Sequence, residues 1–453
     1  MDNKLVKDSA IKHLCEEFRK YNHIDPSLYE KFDVKRGLRN QDGTGVMAGL
    51  TQICNVHGYI VSDGERQPVP GRLYYRGYDI EDIVKSCQEQ QRFGFEETIY
   101  LLLFGVLPTQ EQLDQFIPVI INFMHLPENF FEDMILKAPS PNIMNKLARA
   151  ILAMYSYDDT AENTSLESEL EKALRITASM SNISVKAYQV RRRYYEDKTM
   201  YLHPIKHGLS IAEEFLSLLR IDRSYTKEEA LLLDLCLILH AEHGGGNNST
   251  FACRVLSSSG TDAYSAYAGA VGSLKGPKHG GANIKVLEMV NNIKANVADI
   301  TDRKQVCDYL VKIINKEAND YSGLVYGMGH AVYTISDPRA NILKENAIKL
   351  AKGTEFENDF TLLEIIEKET PRIFAELKGS TKEICANVDL YSGLVYKMLK
   401  IPEELFTPLF ATSRMAGWSA HRIEELLTGN RIIRPAYKSV SKPRAYVPIN
   451  ERR

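Results

Sequence analysis

The most informative stretch of this 453-residue chain is Tyr-Gly-Met-Gly-His-Ala-Val-Tyr-Thr-Ile-Ser-Asp-Pro-Arg, residues 326–339. It places His330 directly after Gly-Met-Gly and Arg339 nine residues further on. Glycine has no Cβ and accepts positive φ, so the backbone beside His330 can approach a small ligand closely. The planar guanidinium of Arg339 fits a carboxylate bidentately. The stretch therefore predicts a site for a small, carboxylate-bearing ligand.

Two other glycine-bearing segments add titratable groups. Leu-Lys-Gly-Pro-Lys-His-Gly-Gly-Ala-Asn (274–283) contributes His279, and Asn-Val-Asp-Leu-Tyr-Ser-Gly (387–393) contributes Asp389. Each residue alone is more often a turn histidine or a helix-capping aspartate. Two imidazoles and a carboxylate together, however, suit general acid–base work on a carbonyl.

His279 precedes an apparent helix over residues 284–293. The positive end of a helix lowers the pKa of a nearby imidazole and favours its neutral form. A neutral imidazole can donate a hydrogen bond to an enolate oxygen as charge develops there. That role requires a base elsewhere, and Asp389 is the candidate.

His240-Ala-Glu-His243 ends an apolar helix and runs into Gly-Gly-Gly-Asn247. A metal site is one interpretation, since two histidines can be ligands. HExxH zinc sites space their histidines four apart on one helical face, whereas these are three apart. We therefore favour an anion- or carbonyl-binding helix end over a metal site, and we predict no metal ligands.

Composition narrows the function classes. The net charge is −3, without a long block of one sign, so neither nucleic acid nor an anionic membrane is predicted as a partner. No apolar run reaches the roughly 18 residues that span a bilayer, and Met1–Ala10 does not resemble a secretory signal. Seven cysteines without CxxC spacing favour reduced thiols and a cytoplasmic location.

Periodicity predicts an all-α fold. Apolar residues recur at helical spacing in Phe95–Phe104 and Gln110–Leu126, and Thr226–Glu229 forms a capping box. The exception is a small N-terminal β-hairpin, predicted from Ile53–Val61 and Arg72–Tyr78 with turn residues at 62–64.

Other segments flank this helical body or offer packing surfaces. Roughly the first 35 residues look like a helical arm, and the tail after Arg434 looks extended. Ala263–Gly272 forms a helix surface of low bulk, which fits internal packing and a subunit interface about equally.

Taken together, these motifs make the chain resemble citrate synthases of the common type over nearly its whole length. The segments that carry the resemblance follow the family's order: RLYYRGYDIEDI (72–83), FEETIYLLLFGVLP (95–108), HAEHGGGNNST (240–250), GPKHGGAN (276–283), GMGHAVYTISDPR (327–339), NVDLYSG (387–393) and FTPLFATSRMAGW (406–418). The segment from His330 to Arg339 is the most specific of these.

The resemblance implies catalytic roles for three residues. Asp389 matches the base that removes a methyl proton from acetyl-CoA. His279 matches the residue that holds the thioester oxygen. His330 matches the one that polarises and protonates the ketone of oxaloacetate. No cofactor is implied, because acetyl-CoA is a substrate.

The resemblance also implies binding residues. Oxaloacetate or citrate would contact His243, Asn247, Arg339, Arg414 and Arg434, with Arg434 reaching across from a partner subunit of a homodimer. CoA would contact Gly327 and Lys382. The chemistry of the substrate supports the arginines in this set, since a dicarboxylic keto acid calls for several guanidinium groups.

Three departures from the family pattern stand out. Many members carry Arg or Lys where this chain has Thr334. Either the CoA phosphates rely on other cations, with Lys382 and Arg191–Arg193 as candidates, or CoA binds weakly. HAEH replaces the more usual Asp-containing form. The N-terminal arm and residues Gln67–Pro70 are unlike the family's usual sequence.

The resemblance further implies two helical domains: a large one over 1–282 and 391–453 and a small one over 283–390. The predicted activity is citrate synthesis in the tricarboxylic acid cycle. Within the fold, 2-methylcitrate synthesis from propanoyl-CoA is the main alternative. A metal-dependent hydrolase built on His240, His243 and His279, or a non-catalytic scaffold, would be the rivals from other classes.

Overall fold

The computed structural model describes residues 3–40, 42–62, 65–379, 383–429 and 431–452. Helix dominates these residues, which confirms the all-α class. None of the described helices is both long and apolar enough to cross a membrane. In chain order the α-helices are α1 (Asn3–Tyr21), α2 (Ser27–Lys31), α3 (Ile80–Glu89), α4 (Phe95–Phe104), α5 (Gln110–Phe123), α6 (Ile143–Met154), α7 (Leu166–Tyr195), α8 (Ile211–Leu219), α9 (Lys227–His240), α10 (Asn248–Ser258), α11 (Ala263–Leu274), α12 (Ala282–Asn296), α13 (Arg303–Ile314), α14 (Pro338–Ala351), α15 (Glu357–Lys378), α16 (Asp389–Met398) and α17 (Phe406–Thr428).

Two compact units can be distinguished by their internal contacts: residues 1–49 with 434–453, and residues 50–433. The first unit contains α1 and α2, followed by irregular chain, as the sequence predicts for the arm. Within it the ammonium of Lys438 lies 5.6 Å from the ring centroid of Phe32, so tail and arm pack together. All elements from the hairpin to α17 belong to the second unit.

The predicted β-hairpin is present. Strands β1 (Cys54–Ser62) and β2 (Glu65–Tyr75) pair antiparallel, and the short β3 (Tyr78–Asp79) pairs with the end of β2. The second strand begins seven residues before the predicted Arg72, so it includes Pro68 and Pro70. Proline is tolerated there because this part of β2 has a neighbour on one side only. The turn residues Asp63 and Gly64 lie outside the described residues.

Helix boundaries follow local capping chemistry. Thr226 and Glu229 form the predicted capping box of α9, and α4 has the predicted bounds. The left-handed Gly105, at φ +82°, ends α4. Helix α5 ends at Phe123, three residues before the predicted Leu126.

Helix α17 lies at the centre of the core and packs against α7, α9 and α10. Its Trp418 and Arg422 are fully buried. Arg422 is neutralised by two 2.8 Å hydrogen bonds to the carboxylate of Glu169 in α7. Breaking such a buried pair by removing one partner costs about 3–5 kcal/mol, so this contact fixes α17 against α7.

The low-bulk surface of α11 faces the core for most of its length. A Cβ on Gly269 would overlap the side chain of Leu256 in α10, so this glycine allows α10 and α11 to approach closely. Internal packing thus accounts for this part of the surface. The interface alternative stays a prediction for exposed positions such as Gly272.

Candidate active site

The end of α9 carries His240, Glu242 and His243 into the site. Tyr75 of β2 fixes this end, because its hydroxyl donates to the carbonyl oxygen of Ile238 (3.0 Å) and accepts from the N–H of Glu242 (3.2 Å). The chain then turns at Gly244, whose φ is +87°. The side chain of Asn247 caps α10 by accepting from the hydroxyl (2.9 Å) and N–H (3.3 Å) of Ser249.

Glu242 is a fully buried carboxylate with a defined partner. His421 lies 3.1 Å from its Oε1, and Arg254 donates to the other ring nitrogen of His421 at 3.0 and 2.7 Å. Because arginine can only donate, the proton of the neutral imidazole lies on Nε2 and points at Glu242. Burial would raise the pKa of Glu242, but His421 and Arg414 outweigh it and keep the pKa below its usual value. Glu242 therefore supplies fixed negative charge near Arg414.

His240 is enclosed by ring systems. Its ring centroid lies 4.5 Å from that of Phe410, and neither ring nitrogen has a hydrogen-bond partner in the described part of the chain. Burial, with Arg339 and Arg414 nearby, pushes its pKa well below the ordinary value. Among the described residues no three His, Cys, Asp or Glu side chains are grouped as metal ligands would be. The arrangement is typical of a neutral, packed histidine.

His330 is held in one tautomer by its own loop. Its Nδ1 accepts hydrogen bonds from the backbone N–H groups of Val332 and Tyr333, each at 3.1 Å. The proton of the neutral ring therefore lies on Nε2. The ring stacks on Tyr333 and meets the ring of His243 edge-on at 5.0 Å between centroids. His330 thus presents an N–H donor beside His243.

The β-hairpin docks on the loop that carries His330. The N–H of Gly71 donates to Ser336 Oγ (3.1 Å), Arg66 donates to the carbonyl oxygen of Val332 (3.1 Å), and the Tyr333 hydroxyl donates to the carbonyl oxygen of Arg72 (3.3 Å). A Cβ at Gly71 would overlap this loop. The unusual N-terminal hairpin therefore supports a predicted catalytic residue some 260 residues away in sequence.

Asp389 is the first residue of α16. Burial raises the pKa of its carboxyl to about 6, although Arg339 and Arg414 act in the opposite direction. A carboxylate with a pKa in this range is a better proton acceptor than an exposed aspartate and is still ionised at neutral pH. The same neighbours bring Asp389 into one electrostatic cluster with the two arginines.

His279 lies before α12 and contacts Ser249. Its Nε2 is 3.0 Å from Ser249 Oγ, which also accepts from the indole N–H of Trp418 at 3.2 Å. Burial, followed by the charge of Arg414, lowers its pKa to about 4. The imidazole is therefore neutral at physiological pH, as the sequence suggested, and burial and Arg414 account for the shift.

Arg414 is fully buried in the middle of α17. Its Nε donates to the carbonyl oxygen of His240 at 2.6 Å, whereas Nη1 and Nη2 have no hydrogen-bond partner among the residues that the structure describes. Burial lowers its pKa, and Glu242 partly compensates. Unpaired buried guanidinium donors carry a large desolvation cost. Such donors mark a place where an anionic ligand would bind.

Arg339 has a partner within the chain. Asp337 accepts from its Nε at 3.1 Å and from its Nη2 at 2.8 Å, and both residues are buried. Burial favours a lower pKa, but the Asp337 carboxylate more than offsets this and raises the pKa of Arg339. Arg339 is thus a fixed cation, and its two side-chain bonds to Asp337 do not use Nη1.

The remaining predicted residues are placed as follows. Gly327 has φ +82°, and a Cβ there would lie 2.8–2.9 Å from Leu390, so a glycine is required. Lys382 lies outside the described residues. Arg434 belongs to the other compact unit. Of the candidate phosphate ligands, Arg191 is already paired with Glu196 and, at 3.0 Å, with Glu404.

One cavity lies apart from this cluster. It has a volume of about 530 Å³, is lined by residues such as Arg92, Glu96 and Glu213, and includes none of the candidate site residues. The chemistry-bearing groups are gathered elsewhere, so this cavity gives no guide to the reaction.

Sequence reasoning missed several residues that shape the site. Asp337, Asn387 and Tyr333 lie within the recognised motifs, but nothing in those motifs indicated their contacts. Ser249 stands in the Asn-Asn-Ser-Thr run after His243, and a hydroxyl in that polar run was the available signal.

Comparisons with known sequences point to one family. Residues 40–436 match the family model described as citrate synthase, C-terminal domain. A citrate synthase from Haloferax volcanii is 36% identical over 427 residues, which cover 93% of this chain and 99% of the relative. 2-Methylcitrate synthase 1 from Corynebacterium glutamicum is 33% identical over 426 residues, covering 92% and 98%.

Solved structures point the same way. The citrate synthase of Thermoplasma acidophilum, in a ternary complex with carboxymethyl coenzyme A and oxaloacetate, aligns with a TM-score of 0.76. It is 29% identical, and the alignment covers 92% of this chain and 99% of that one. The citrate synthase of Thermotoga maritima aligns with a TM-score of 0.72 at 29% identity, with the same coverage.

Proposed function

This chain belongs to the citrate synthase family, and we propose that it condenses acetyl-CoA with oxaloacetate and water to give citrate and CoA. The observation that carries the proposal is the environment of Arg414. Two unpartnered guanidinium nitrogens are buried in the same cluster as an elevated-pKa carboxyl, Asp389, and a neutral imidazole, His279. The reaction requires a group that binds an anionic substrate, a base and a hydrogen-bond donor, which Arg414, Asp389 and His279 would supply.

Oxaloacetate would bind through its two carboxylates. Arg414 offers Nη1 and Nη2, which have no partner among the described residues, and Arg339 offers Nη1, which its two bonds to Asp337 do not use. His243, neutral because burial and Arg339 hold its pKa well below the usual value, offers a further polar contact through its unpartnered Nε2. Each such charge-assisted contact is worth about 1.5–3 kcal/mol.

Enolisation would use Asp389 and His279. Asp389 takes a proton from the methyl group of acetyl-CoA, while His279 donates a hydrogen bond to the thioester oxygen as the enolate forms. Donation from Nδ1 requires Nε2 to accept. The single proton of the Ser249 hydroxyl points to Asn247 Oδ1, so it reaches His279 Nε2 only after the hydroxyl rotates, while its oxygen still accepts from Trp418.

Carbon–carbon bond formation would use His330. The enolate carbon attacks the ketone carbon of oxaloacetate, and the ketone oxygen takes the proton from Nε2 of His330, the nitrogen that carries it in this loop. Water then attacks the citryl thioester. The C–S bond breaks, and the sulfur leaves with a proton as CoA.

CoA binding is the least determined step. We propose Gly327 and Lys382 as contacts. Thr334, a half-buried residue whose hydroxyl has no partner among the described residues, stands where the family resemblance implies a basic phosphate ligand. The ion pairs of Arg191 disfavour it as a phosphate ligand in this conformation.

Three further proposals concern organisation. Residues 283–390 form a small domain whose closure on the rest excludes water from the thioester. The active species is a homodimer in which Arg434 completes the partner's site. The enzyme is cytoplasmic, which the seven unpaired cysteines support.

2-Methylcitrate synthesis is the second candidate, since 2-methylcitrate synthases from Corynebacterium glutamicum and Shewanella oneidensis are 33% and 32% identical to this chain. One extra methylene changes transition-state binding by only about 1–3 kcal/mol, so a few pocket contacts decide the preference.

The test measures CoA release from acetyl-CoA and from propanoyl-CoA, each with and without oxaloacetate. We expect release to depend on oxaloacetate and kcat/KM to be higher for acetyl-CoA. A higher kcat/KM for propanoyl-CoA would establish the second candidate. Release that is independent of oxaloacetate would indicate a hydrolase instead.

A further inference from the structure

One side chain, Asn387, joins the two backbone segments that carry His330 and Asp389. Its Nδ2 donates to the carbonyl oxygen of Gly329 at 2.8 Å, and its Oδ1 accepts from the N–H of Asp389 at 3.0 Å. Gly329 directly precedes His330, and Asp389 is the residue that α16 begins with. A single amide thus spans the backbone beside both groups.

The backbone around this amide is paired as well. The N–H of Asn387 donates to Gly327 (2.9 Å), and the N–H of Gly329 donates to Cys385 (2.7 Å), so residues 327–329 and 385–387 form a short antiparallel bridge. These bonds hold the two segments side by side. The side chain of Asn387 adds bonds to Gly329, which precedes His330, and to Asp389 itself.

We propose that Asn387 is a positioning residue that sets the distance between the His330 imidazole and the Asp389 carboxylate; this rests on the roles proposed above for those two groups. Asparagine suits this position because it offers one donor and one acceptor on a short stem. Aspartate would place a carboxylate oxygen against the Gly329 carbonyl, and alanine would offer neither group.

The relation matters because the two groups act on different substrates. Asp389 removes a proton from the thioester, whereas His330 activates the ketone, and the new bond forms between the two molecules. A displacement of about 1 Å between such groups can cost about 10²-fold in rate. Oxaloacetate itself is held through Arg414 in α17, Arg339 in α14 and His243 after α9, whereas the side-chain hydrogen bonds of Asn387 go to Gly329 and Asp389.

The test compares Asn387→Ala and Asn387→Asp with a matched control, Asn182→Ala. Asn182 is a buried amide in α7 that donates to the carbonyl oxygen of Met124 at 3.0 Å, the same kind of bond. We expect Asn387→Ala to lower kcat about 10²-fold while KM for oxaloacetate stays within about threefold. Asn182→Ala should lower Tm with kcat near that of the wild type.

A second readout separates positioning from a general structural loss. Exchange of the acetyl-CoA methyl protons with deuterated water, measured with malate in the oxaloacetate site, needs Asp389 and His279 but no attack on a ketone. If Asn387 is a positioning residue, Asn387→Ala should slow condensation more than it slows the exchange of the methyl protons. An equal loss in both reactions, or a kcat within about threefold of the wild type, overturns the inference.

The outcomes remain distinct from those for the proposed function. If the wild-type protein releases no CoA from acetyl-CoA in the presence of oxaloacetate, the proposed function itself is refuted. If the wild type is active and the Asn387 variants match it, only this inference fails. Should Asn387→Ala not fold, the near-isosteric Asn387→Asp decides: we expect it to lose kcat, and normal turnover in it would refute the positioning role.

Discussion

The imidazole of His330 stacks on the phenol ring of Tyr333, with ring centroids 4.6 Å apart and planes inclined by 24°. The Tyr333 hydroxyl in turn donates to Arg72 in β2. The ring that orients the proposed acid is therefore itself supported by the N-terminal hairpin.

Tyr333 should matter more for its ring than for its hydroxyl. We expect Tyr333→Phe to keep kcat within a few-fold of the wild type, because the stacked ring remains. Tyr333→Ala removes the stack and should lower kcat by about tenfold or more, since His330 can then rotate away from the ketone. Steady-state kinetics on both variants would check this, and a fully active Tyr333→Ala would contradict the orienting role.

Replacing Asp389 by Asn should separate activity from stability. The amide cannot accept the methyl proton, so kcat should fall by about 10²–10⁴-fold while oxaloacetate binding is largely kept. Because burial raises the folded-state pKa from 3.8 to about 6, ionising this carboxyl costs stability above that range. Asp389→Asn should therefore have a higher Tm than the wild type at pH 7.5. Thermal unfolding checks this, and an unchanged kcat would remove Asp389 from the mechanism.

The same carboxyl should govern the acidic limb of the pH profile. Only the ionised form accepts a proton, so kcat/KM should fall as the pH drops through about 6. The effect of pH on stability has the opposite sign. Between pH 3.8 and 6 the folded protein binds a proton that the unfolded chain has lost. The stability that this group contributes therefore declines as the pH rises from 3.8 to 6. An acidic limb of the kcat/KM profile centred near pH 4 would show that the pKa of Asp389 is not raised.

The sequence predicted much of this arrangement and missed part of it for a physical reason. Local signals placed α4, the cap of α9 and the hairpin, because propensity and capping depend on neighbours in the chain. The family motifs supplied His279, His330 and Asp389 as candidates. The bonds from Gly71 to Ser336 and from Arg66 to Val332 join residues more than 260 positions apart, and nothing local encodes them. The cause of the low pKa of His279 was likewise missed, because it depends on burial and on Arg414.

The two buried arginines should respond differently to replacement. Arg339→Leu and Arg414→Leu should each raise KM for oxaloacetate, because a substrate carboxylate loses a partner. Only Arg339→Leu leaves a buried carboxylate, Asp337, without its ion pair, and that loss should cost about 3–5 kcal/mol of stability. Arg414 has no direct ion-pair partner within the described ranges, so its loss should affect stability less. Denaturant unfolding alongside kinetics checks the contrast, which equal destabilisation would contradict.

Arg434 should act in the partner's site if the proposed homodimer is correct. Arg434→Ala and Asp389→Asn would each be inactive alone. A co-expressed heterodimer would then contain one site with both residues intact and should recover a part of the wild-type activity. The assay uses purified heterodimers carrying different affinity tags. Absence of recovered activity in verified heterodimers would place Arg434 in its own subunit's site or outside the site.

The central claim is that Asp389, His279 and His330 join the methyl carbon of acetyl-CoA to the ketone carbon of oxaloacetate. The most direct measurement follows acetyl-CoA labelled with carbon-13 in its methyl group by NMR, in the presence of oxaloacetate and the purified protein. If these residues form that bond, the label appears in a methylene group of citrate, at a rate equal to that of CoA release. Label recovered as acetate, or no citrate despite CoA release, would contradict it.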